Sequence, residues 1–334
     1  MKAFLLRRYG GPDAVELADV PDPGAAGPGE IVVDVRAASV NPVDFKIREG
    51  ALKPLLKLKL PIVLGNDLAG VVREVGPDVR RFQAGDEIYA RVEKDRLGAF
   101  AERAVVREEH AGRKPARLSF EEAAAVPLAG LTAWQALVDH GGTGAGHKVL
   151  IHAGAGGVGT LAIQVAKHLG AFVATTASAR GADLVRSLGA DLVVDYKTER
   201  FEDRVRDYDL VFDTLGGETQ RRSLGVLKPG GILVDIVGPP DAAFAREAGA
   251  NLVIRVALGL MGWKRARLAR RLGVRYRFLF MRPSGEQLER LGALIDAGEL
   301  RPIIDEVYPF ARALDAIAHS ESGRAKGKVV IKIA

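Results

Sequence analysis

Gly154, Gly156 and Gly159 stand in the spacing G-x-G-x-x-G, with Gly157 and Val158 between the last two. Glycine at these positions permits backbone angles that a Cβ penalises, and it lets the main chain come close to a diphosphate. A helix starting there leaves its first N–H groups without internal partners, so they present donors and a partial positive charge to an anion. The motif alone is weak, and its flanks give it weight. Val149, Leu150 and Ile151 form a short apolar run of the kind buried on both faces of a parallel sheet. After the turn, Leu161, Val165 and Leu169 recur at i, i+4 and i+8. Ala162, Ile163 and Ala166 widen that stripe, and Gly170 ends it. Strand, tight turn and amphipathic helix in that order read as a dinucleotide site.

The second strand decides which nucleotide. NAD-preferring sites end it on an acidic residue that accepts from the ribose 2′-OH. Here residues 172–176 end at Thr175 and Thr176, followed by Ala177, Ser178, Ala179 and Arg180. No carboxylate competes, and Ser178 with Arg180 suits a 2′-phosphate through hydrogen bonds and charge. A solvated loop arginine is the alternative role for Arg180. The expected cofactor is NADPH rather than NADH.

The elements that position these residues follow from pattern and punctuation. At 334 residues, two domains are expected. A chain 48% hydrophobic and 27% charged has the composition of a soluble globular protein. With Cys 0, disulfides and thiolate-bound zinc are excluded, and the six histidines lack ligand spacing and read as surface or loop residues. The opening MKAFLLRRYGG is too short in its apolar part for a signal peptide, no run reaches spanning length, and a cytoplasmic location is expected. The net charge of +6 suits a polyanionic cofactor and points to no nucleic-acid partner.

Residues 1–120 read as a mostly-β unit, with strands at 3–6, 30–35, 70–75 and 87–92. Ser119 with Glu122 forms a capping box before an alanine-rich helix. From Lys148 the pattern alternates. Strands at 172–176, 192–195, 210–213, 231–237 and 275–281 and helices at 182–188 and 286–297 predict a doubly wound parallel sheet. The strand at 329–333 is expected to pair back with the N-terminal β unit. The reading is thus an α/β chain with a discontinuous domain, 1–122 with 298–334, around a nucleotide-binding domain over 123–297, and a cleft between them.

The sequence resembles the medium-chain dehydrogenase/reductase superfamily, in its zinc-free quinone oxidoreductase and alkenal (enone) reductase branch. ASVNPVDFKIREG (38–50), PIVLGNDLAGVVREVGPDVRRFQAGDEIYARV (61–92), EEAAAVPLAGLTAWQAL (121–137), VLIHAGAGGVGTLAIQVAKHLGA (149–171), DLVFDTLGG (209–217), LKPGGILVDIVG (227–238) and GRAKGKVVIKI (323–333) carry the match. The resemblance implies a GroES-like catalytic domain split around a Rossmann domain that binds NADPH. Where zinc-dependent members carry Cys, His-Glu and Cys, this chain has Asn41, Asn66-Asp67 and Leu128. A zinc alkoxide is therefore disfavoured, and hydride addition to an electrophilic acceptor is the expected reaction.

The same resemblance places Thr132, the Thr214–Gly216 turn and the Val237–Gly238 turn near the nicotinamide, and Tyr196 on the 2′-phosphate. The family's lysine at that phosphate aligns with Gly181, so Arg180 must act from one residue earlier. Lys328 aligns with a basic residue that reaches the diphosphate, a strand-edge lysine being the alternative. Asn41 is the candidate donor to the acceptor's carbonyl oxygen, or else a turn residue before Pro42. Asp44 is read as ordering the loop or the ribose, Asp67 as orienting its neighbours or acting in catalysis, and Lys46 or Tyr89 as the proton donor. An enoyl-thioester reductase and an NADPH-binding redox sensor with little catalysis are the rival readings, and a homodimer taking a small quinone or enone is the expected assembly.

One segment lies outside this account. Residues 251–263, NLVIRVALGLMGW, are apolar and lead into KRARLARRLGVRYR, with Leu260, Trp263, Arg267 and Arg270 at helical spacing. Residues 251–277 read as a packed helix with a solvated basic face at a dimer contact, or as a weak peripheral membrane contact.

Overall fold

The computed structural model describes residues 1–53, 55–56, 58–94, 96–238, 240–241, 244, 246 and 252–334, without the side chains of 253, 254 and 257. The chain forms two compact units, Met1–Leu131 with Arg282–Ala334, and Thr132–Met281.

The first unit begins with β1 (Lys2–Leu6), β2 (Val15–Asp19), β3 (Glu30–Val40), α1 (Pro42–Arg48), β4 (Ile62–Val63), β5 (Asp67–Val75), β6 (Glu87–Arg91), β7 (Arg103–Arg107) and β8 (Ala111–Arg113). β3 is longer than the expected 30–35. It pairs with β7 from Glu30 to Asp34, with β5 from Ile31 to Ser39 and with the C-terminal strand Lys328–Lys332 from Ala37 to Val40, and its last four residues are buried, so the continuation AASV stays in the sheet rather than turning. Ser119 and Glu122 form the expected capping box at α2 (Phe120–Ala124). Glu122 N–H donates to Ser119 Oγ at 3.2 Å and Ser119 N–H to Glu122 Oε2 at 2.9 Å. Pro127 starts a new helix, α3 (Pro127–Trp134), because it lacks the N–H that would continue the old one.

The second unit contains β9 (Lys148–Ile151), α4 (Gly157–His168), β10 (Phe172–Ala177), α5 (Ala179–Ser187), β11 (Leu192–Asp195), β12 (Tyr208–Asp213), α6 (Gly217–Ser223), β13 (Leu227–Asp235), α7 (Leu252–Leu272) and β14 (Arg275–Phe278). The six strands are parallel in the order β11-β10-β9-β12-β13-β14, the doubly wound order with its switch point between β9 and β12. Val149, Leu150, Ile151, Val173, Ala174 and Val211 are fully buried, as strands covered on both faces require. α5 starts three residues before the expected 182, since Asp195 Oδ2 accepts from Ala179 N–H at 3.1 Å and fixes its first turn. Residues 252–272 make one continuous helix, and Asn251 lies outside the described residues.

The chain then returns to the first unit with α8 (Gly285–Asp296), β15 (Ile304–Pro309), α9 (Ala313–Glu321) and β16 (Lys328–Lys332). β16 lies between β15 and β3 in a seven-stranded sheet, so the expected pairing with the N-terminal β unit holds. The units divide at 131/132 and 281/282, not at 122/123 and 297/298. α8 causes the difference at the second boundary. A Cβ on Gly285 would come 2.3 Å from Ala111 O, and one on Gly112 would come 2.9 Å from Leu288 Cβ, so this helix packs tightly on β8.

Tyr89 is part of that packing. It is fully buried, and its hydroxyl donates to Leu288 O on α8. Burial, with Glu289 and Asp296 nearby, pushes its phenol far above the ordinary range. It therefore holds a helix and is no proton donor, contrary to the sequence expectation. Tyr89→Phe should cost about 1 kcal/mol of stability, the net worth of a buried hydrogen bond. Denaturant unfolding beside turnover should show that loss with the rate unchanged, and a collapse in rate alone would restore Tyr89 to the chemistry.

Candidate functional site

The glycine turn of the second unit assigns each glycine a separate task. A Cβ on Gly154 would lie 2.0 Å from Thr175 Oγ1, and one on Gly159 would lie 2.4 Å from Ala153 O, so both are required by the chain's own packing. Gly156 is different: a Cβ there would meet only Ala153 O, at 3.3 Å. Its bare face is turned to open space beside the N-terminus of α4, where Gly157, Val158 and Gly159 present N–H groups with no partner inside the helix. Ala153 holds the turn from below with a left-handed φ of 51°, its N–H donating to Thr176 Oγ1 at 3.0 Å. This cradle fits a diphosphate.

Ser178, Arg180 and Tyr196 gather at the adjoining ends of β10 and β11. Ala177 is in register with Asp195, and Tyr196 N–H donates to Ala177 O at 3.3 Å. Ser178 sits at the N-cap of α5 without using its hydroxyl as a cap, while Arg180 and Tyr196 are exposed. A Cβ on Gly181 would lie 2.9 Å from Ala155 Cβ, so a lysine at that position would crowd the glycine turn. Arg180 is the basic side chain this loop can extend.

The turns after β12 and β13 share a design that the sequence reading missed. Asp213 Oδ1 accepts from Leu215 N–H at 2.9 Å and Gly216 N–H at 3.1 Å. Asp235 Oδ1 accepts from Val237 N–H at 2.8 Å and Gly238 N–H at 3.0 Å. The two carboxylates are register neighbours, and Tyr276 Oη donates to Asp235 Oδ2 at 2.6 Å. Burial, with Asp235 beside it, raises the Asp213 carboxyl above its usual range against the pull of those two N–H groups. Thr214 Oγ1 donates to His152 O at 3.0 Å and ties the first turn to β9. The repeated D-x-x-G, Asp213–Gly216 and Asp235–Gly238, was the available signal. His152 also departs from the surface role expected of the histidines. It is fully buried between Thr176 Oγ1 at 3.2 Å and Ser223 Oγ at 2.8 Å, and burial pushes it down to about 3, so it stays neutral. Thr132 is buried in α3.

In the first unit, the positions that align with zinc ligands converge on a carboxylate. Asp67, fully buried at the start of β5, accepts from Ser39 Oγ at 3.0 Å, Asn41 Nδ2 at 2.9 Å and Leu128 N–H at 2.9 Å. Lys328 Nζ lies 3.7 Å from the same carboxylate and donates to Val40 O at 3.1 Å and to Asn41 Oδ1. β16 is an interior strand, so Lys328 is neither at a sheet edge nor extended toward a diphosphate. Asn41 has both ends of its amide engaged, since Nδ2 also donates to Ser39 O at 3.3 Å. Its backbone N–H donates to Asp44 Oδ2 at 2.7 Å, and Asn66 Nδ2 donates to Asp44 Oδ1 at 2.7 Å. Asn41 therefore acts as the turn and network residue before α1, with no amide hydrogen free for an acceptor's oxygen. Lys46 is half-buried on α1, away from this list of bonds.

Burial drives the cluster's protonation. It raises Asp67 and lowers Lys328, and their mutual attraction opposes both shifts. Burial also pushes Asp44 up to about 7, against the two N–H donors that favour its ionised form. A zinc site needs several ligands with free lone pairs. Here both buried carboxylates, Asp67 and Asp44, are already engaged by donors, Asp67 also faces a lysine ammonium, and no thiolate or imidazole joins them, so the residues do not fit a zinc ion. Among the described residues, no three His, Cys, Asp or Glu side chains group as a metal site.

A family model described as "Alcohol dehydrogenase GroES-like domain" matches residues 27–116, and one described as "Zinc-binding dehydrogenase" matches residues 188–331. The chain is 36% identical to the NAD(P)H oxidoreductase RTN4IP1, mitochondrial, of Danio rerio, over 100% of this chain and 91% of that one. It is also 36% identical to the NADPH-dependent alkenal/one oxidoreductase, chloroplastic, of Arabidopsis thaliana, over 99% of this chain and 79% of that one. The solved quinone oxidoreductase of Coxiella burnetii superposes with a TM-score of 0.86 at 33% identity, covering 100% of this chain and 99% of that chain.

Two outcomes follow from the buried cluster. Lys328→Met leaves Asp67 without a cation and should cost about 3–5 kcal/mol. Adding Asp67→Asn should restore most of that, and chemical denaturation of the single and double variants measures it. Asp44 holds a proton in the folded state that the unfolded chain releases above 3.8. Its contribution to stability is present below that value and is lost as pH rises through about 7. The thermal midpoint should fall as pH rises from ~4 to ~7 in the native chain, level off above that, and change less in Asp44→Asn. Equal slopes would place the titration elsewhere.

Proposed function

The chain belongs to the medium-chain dehydrogenase/reductase superfamily, in its quinone oxidoreductase and alkenal reductase branch, and we propose how its two sets of residues share the reaction. It is an NADPH-dependent oxidoreductase that reduces quinones or α,β-unsaturated carbonyl compounds. NADPH, when bound, supplies the hydride. In our reading Gly156 and the first turn of α4 hold its diphosphate, and Ser178, Arg180 and Tyr196 hold the 2′-phosphate. The paired aspartate turns keep Thr214, Gly216, Val237 and Gly238 fixed at the carboxyl ends of the strands, where they would hold a nicotinamide. Rigid turns reduce the entropy lost in aligning donor and acceptor carbons.

The observation that carries this reading is the saturated Asp67–Lys328 pocket. Lysine and carboxylate neutralise one another there, and the surrounding donors are committed. Such a pocket offers no Lewis acid to draw hydride away from an alcohol. The acceptor has to bring its own electrophilic carbon, as an enone or quinone does. Of the two expected proton donors Tyr89 is spent on α8, and Lys46 remains beside water. A cytoplasmic homodimer belongs to the same proposal, tested by fractionation and by sedimentation mass.

The test is NADPH oxidation measured against simple quinones, alkenals, enones and crotonyl-CoA. Turnover on the first three and little on the thioester is expected, and the reverse order would transfer the chain to the enoyl-thioester reductases. Binding without acceleration by any of them would leave a nucleotide sensor. In the same assay, Arg180→Ala should raise KM for NADPH roughly tenfold, as loss of a charged phosphate contact does, and leave KM for NADH nearly unchanged. An unchanged ratio of the two constants would remove Arg180 from the phosphate site.

A further inference from the structure

We propose that α7 docks the enzyme onto an anionic lipid bilayer, lying in the surface without crossing it. The helix has one face against its own unit. Gly262 and Ala269 are buried, and Arg265 Nη1 donates to Gln220 Oε1 at 3.2 Å and stacks over the Tyr276 ring. Among the described residues nothing covers the opposite face, which is divided along the helix axis. Leu252, Val256 and Leu260, at i, i+4 and i+8, are 70%, 54% and 72% exposed, and Trp263 follows one turn later. Beyond Trp263 the same face carries Lys264, Arg267, Arg270 and Arg271, all exposed. Arg267 lies over the Trp263 ring at 5.3 Å, which places the indole at the border of the two halves.

Charge selects the occupant. Leu252–Leu272 contains no Asp or Glu and six cations. Among the described residues, no carboxylate lies within ion-pair distance of Arg255, Lys264, Arg267, Arg270 or Arg271. A second copy of this face would set cations against cations if parallel and cations against leucines if antiparallel, so self-association satisfies neither half. A nucleic acid would satisfy the arginines and leave the leucines in water. An anionic bilayer satisfies both halves: the apolar turns enter the acyl boundary, the indole sits at headgroup level, and the cations meet the phosphates. No described helix is long and apolar enough to cross a membrane, so contact is peripheral. The apolar N-terminal half would lie deeper than the basic half. This inference stands apart from the choice of acceptor.

The full chain should co-sediment with phosphatidylcholine vesicles that contain phosphatidylglycerol, leave them as salt is raised, and ignore pure phosphatidylcholine. Emission from Trp263 should shift to the blue on the anionic vesicles; the other tryptophan, Trp134, is already buried. Each cation near an anionic surface strengthens binding roughly fivefold, so the triple variant Lys264→Glu, Arg267→Glu, Arg271→Glu should bind at least about a hundredfold more weakly. Leu252→Ser, Val256→Ser, Leu260→Ser should remove the blue shift. Both variants should oxidise NADPH with a soluble acceptor at the native rate. The proposal is overturned if native chain does not bind, if neutral vesicles bind it equally, or if neither variant changes binding. A variant that turns a dimer into monomers while vesicle binding persists would assign the face to a second copy instead.

Discussion

A carboxylate without water has to be surrounded by donors, and Asp67 is the residue in the first unit for which that condition is hardest to meet. Its oxygens are reached from β3 through Ser39, from the turn into α1 through Asn41, from the start of α3 through Leu128 N–H, and from β16 through Lys328. These elements are far apart in sequence. Their meeting at one buried charge fixes the register of β16 against β3 and the direction in which the chain leaves β3. A buried ion pair is weak evidence for stability, because desolvation offsets most of its attraction. Its consequence here is specificity of arrangement: the ammonium sits beside Asn41 and Asp67, two of the positions that align with zinc ligands, and the Asp67 carboxylate is already engaged.

The second unit solves a complementary problem with backbone alone. Its ligand is anionic, so the chain supplies N–H groups and space. Gly156 leaves room, while Gly154 and Gly159 let strand, turn and helix approach within distances no side chain allows. Asp213 and Asp235 then use buried carboxylates to hold two loops at adjacent strand ends in the same shape. In both units a buried acid organises backbone, and in the second the aspartates do so by accepting from N–H groups in tight turns.

Much of this was legible in the sequence, because local patterns have local causes. The glycine turn, the capping box at Ser119 and the parallel strands follow from periodicity and residue type. The return of β16 to β3, a nonlocal pairing, was legible through the end-to-end resemblance. Side-chain destinations were harder to read. Lys328 looked like a cation reaching the diphosphate, with a strand-edge lysine as the alternative, because nothing local shows that β15 covers its strand or that Asp67 lies beside it. Tyr89 looked like a proton donor because its partner, Leu288, lies 199 positions away. Asn41 looked like a free amide, and two of that amide's three partners, Asp67 and Lys328, come from strands distant in sequence. α8 was assigned to the nucleotide domain by its place in the chain, whereas Gly112 and Gly285 decide its packing. Asn66 and His152 gave no signal, since burial of a polar side chain is a tertiary property.

The central claim is that a self-neutralising lysine–aspartate pocket replaces metal chemistry in this reductase. The most direct test is zinc content measured on the same sample as turnover, before and after chelation, with NADPH and a quinone or enone. The account predicts full turnover with far less than one zinc per chain, unchanged by chelator or by added zinc. Activity that rises and falls with bound zinc would contradict it.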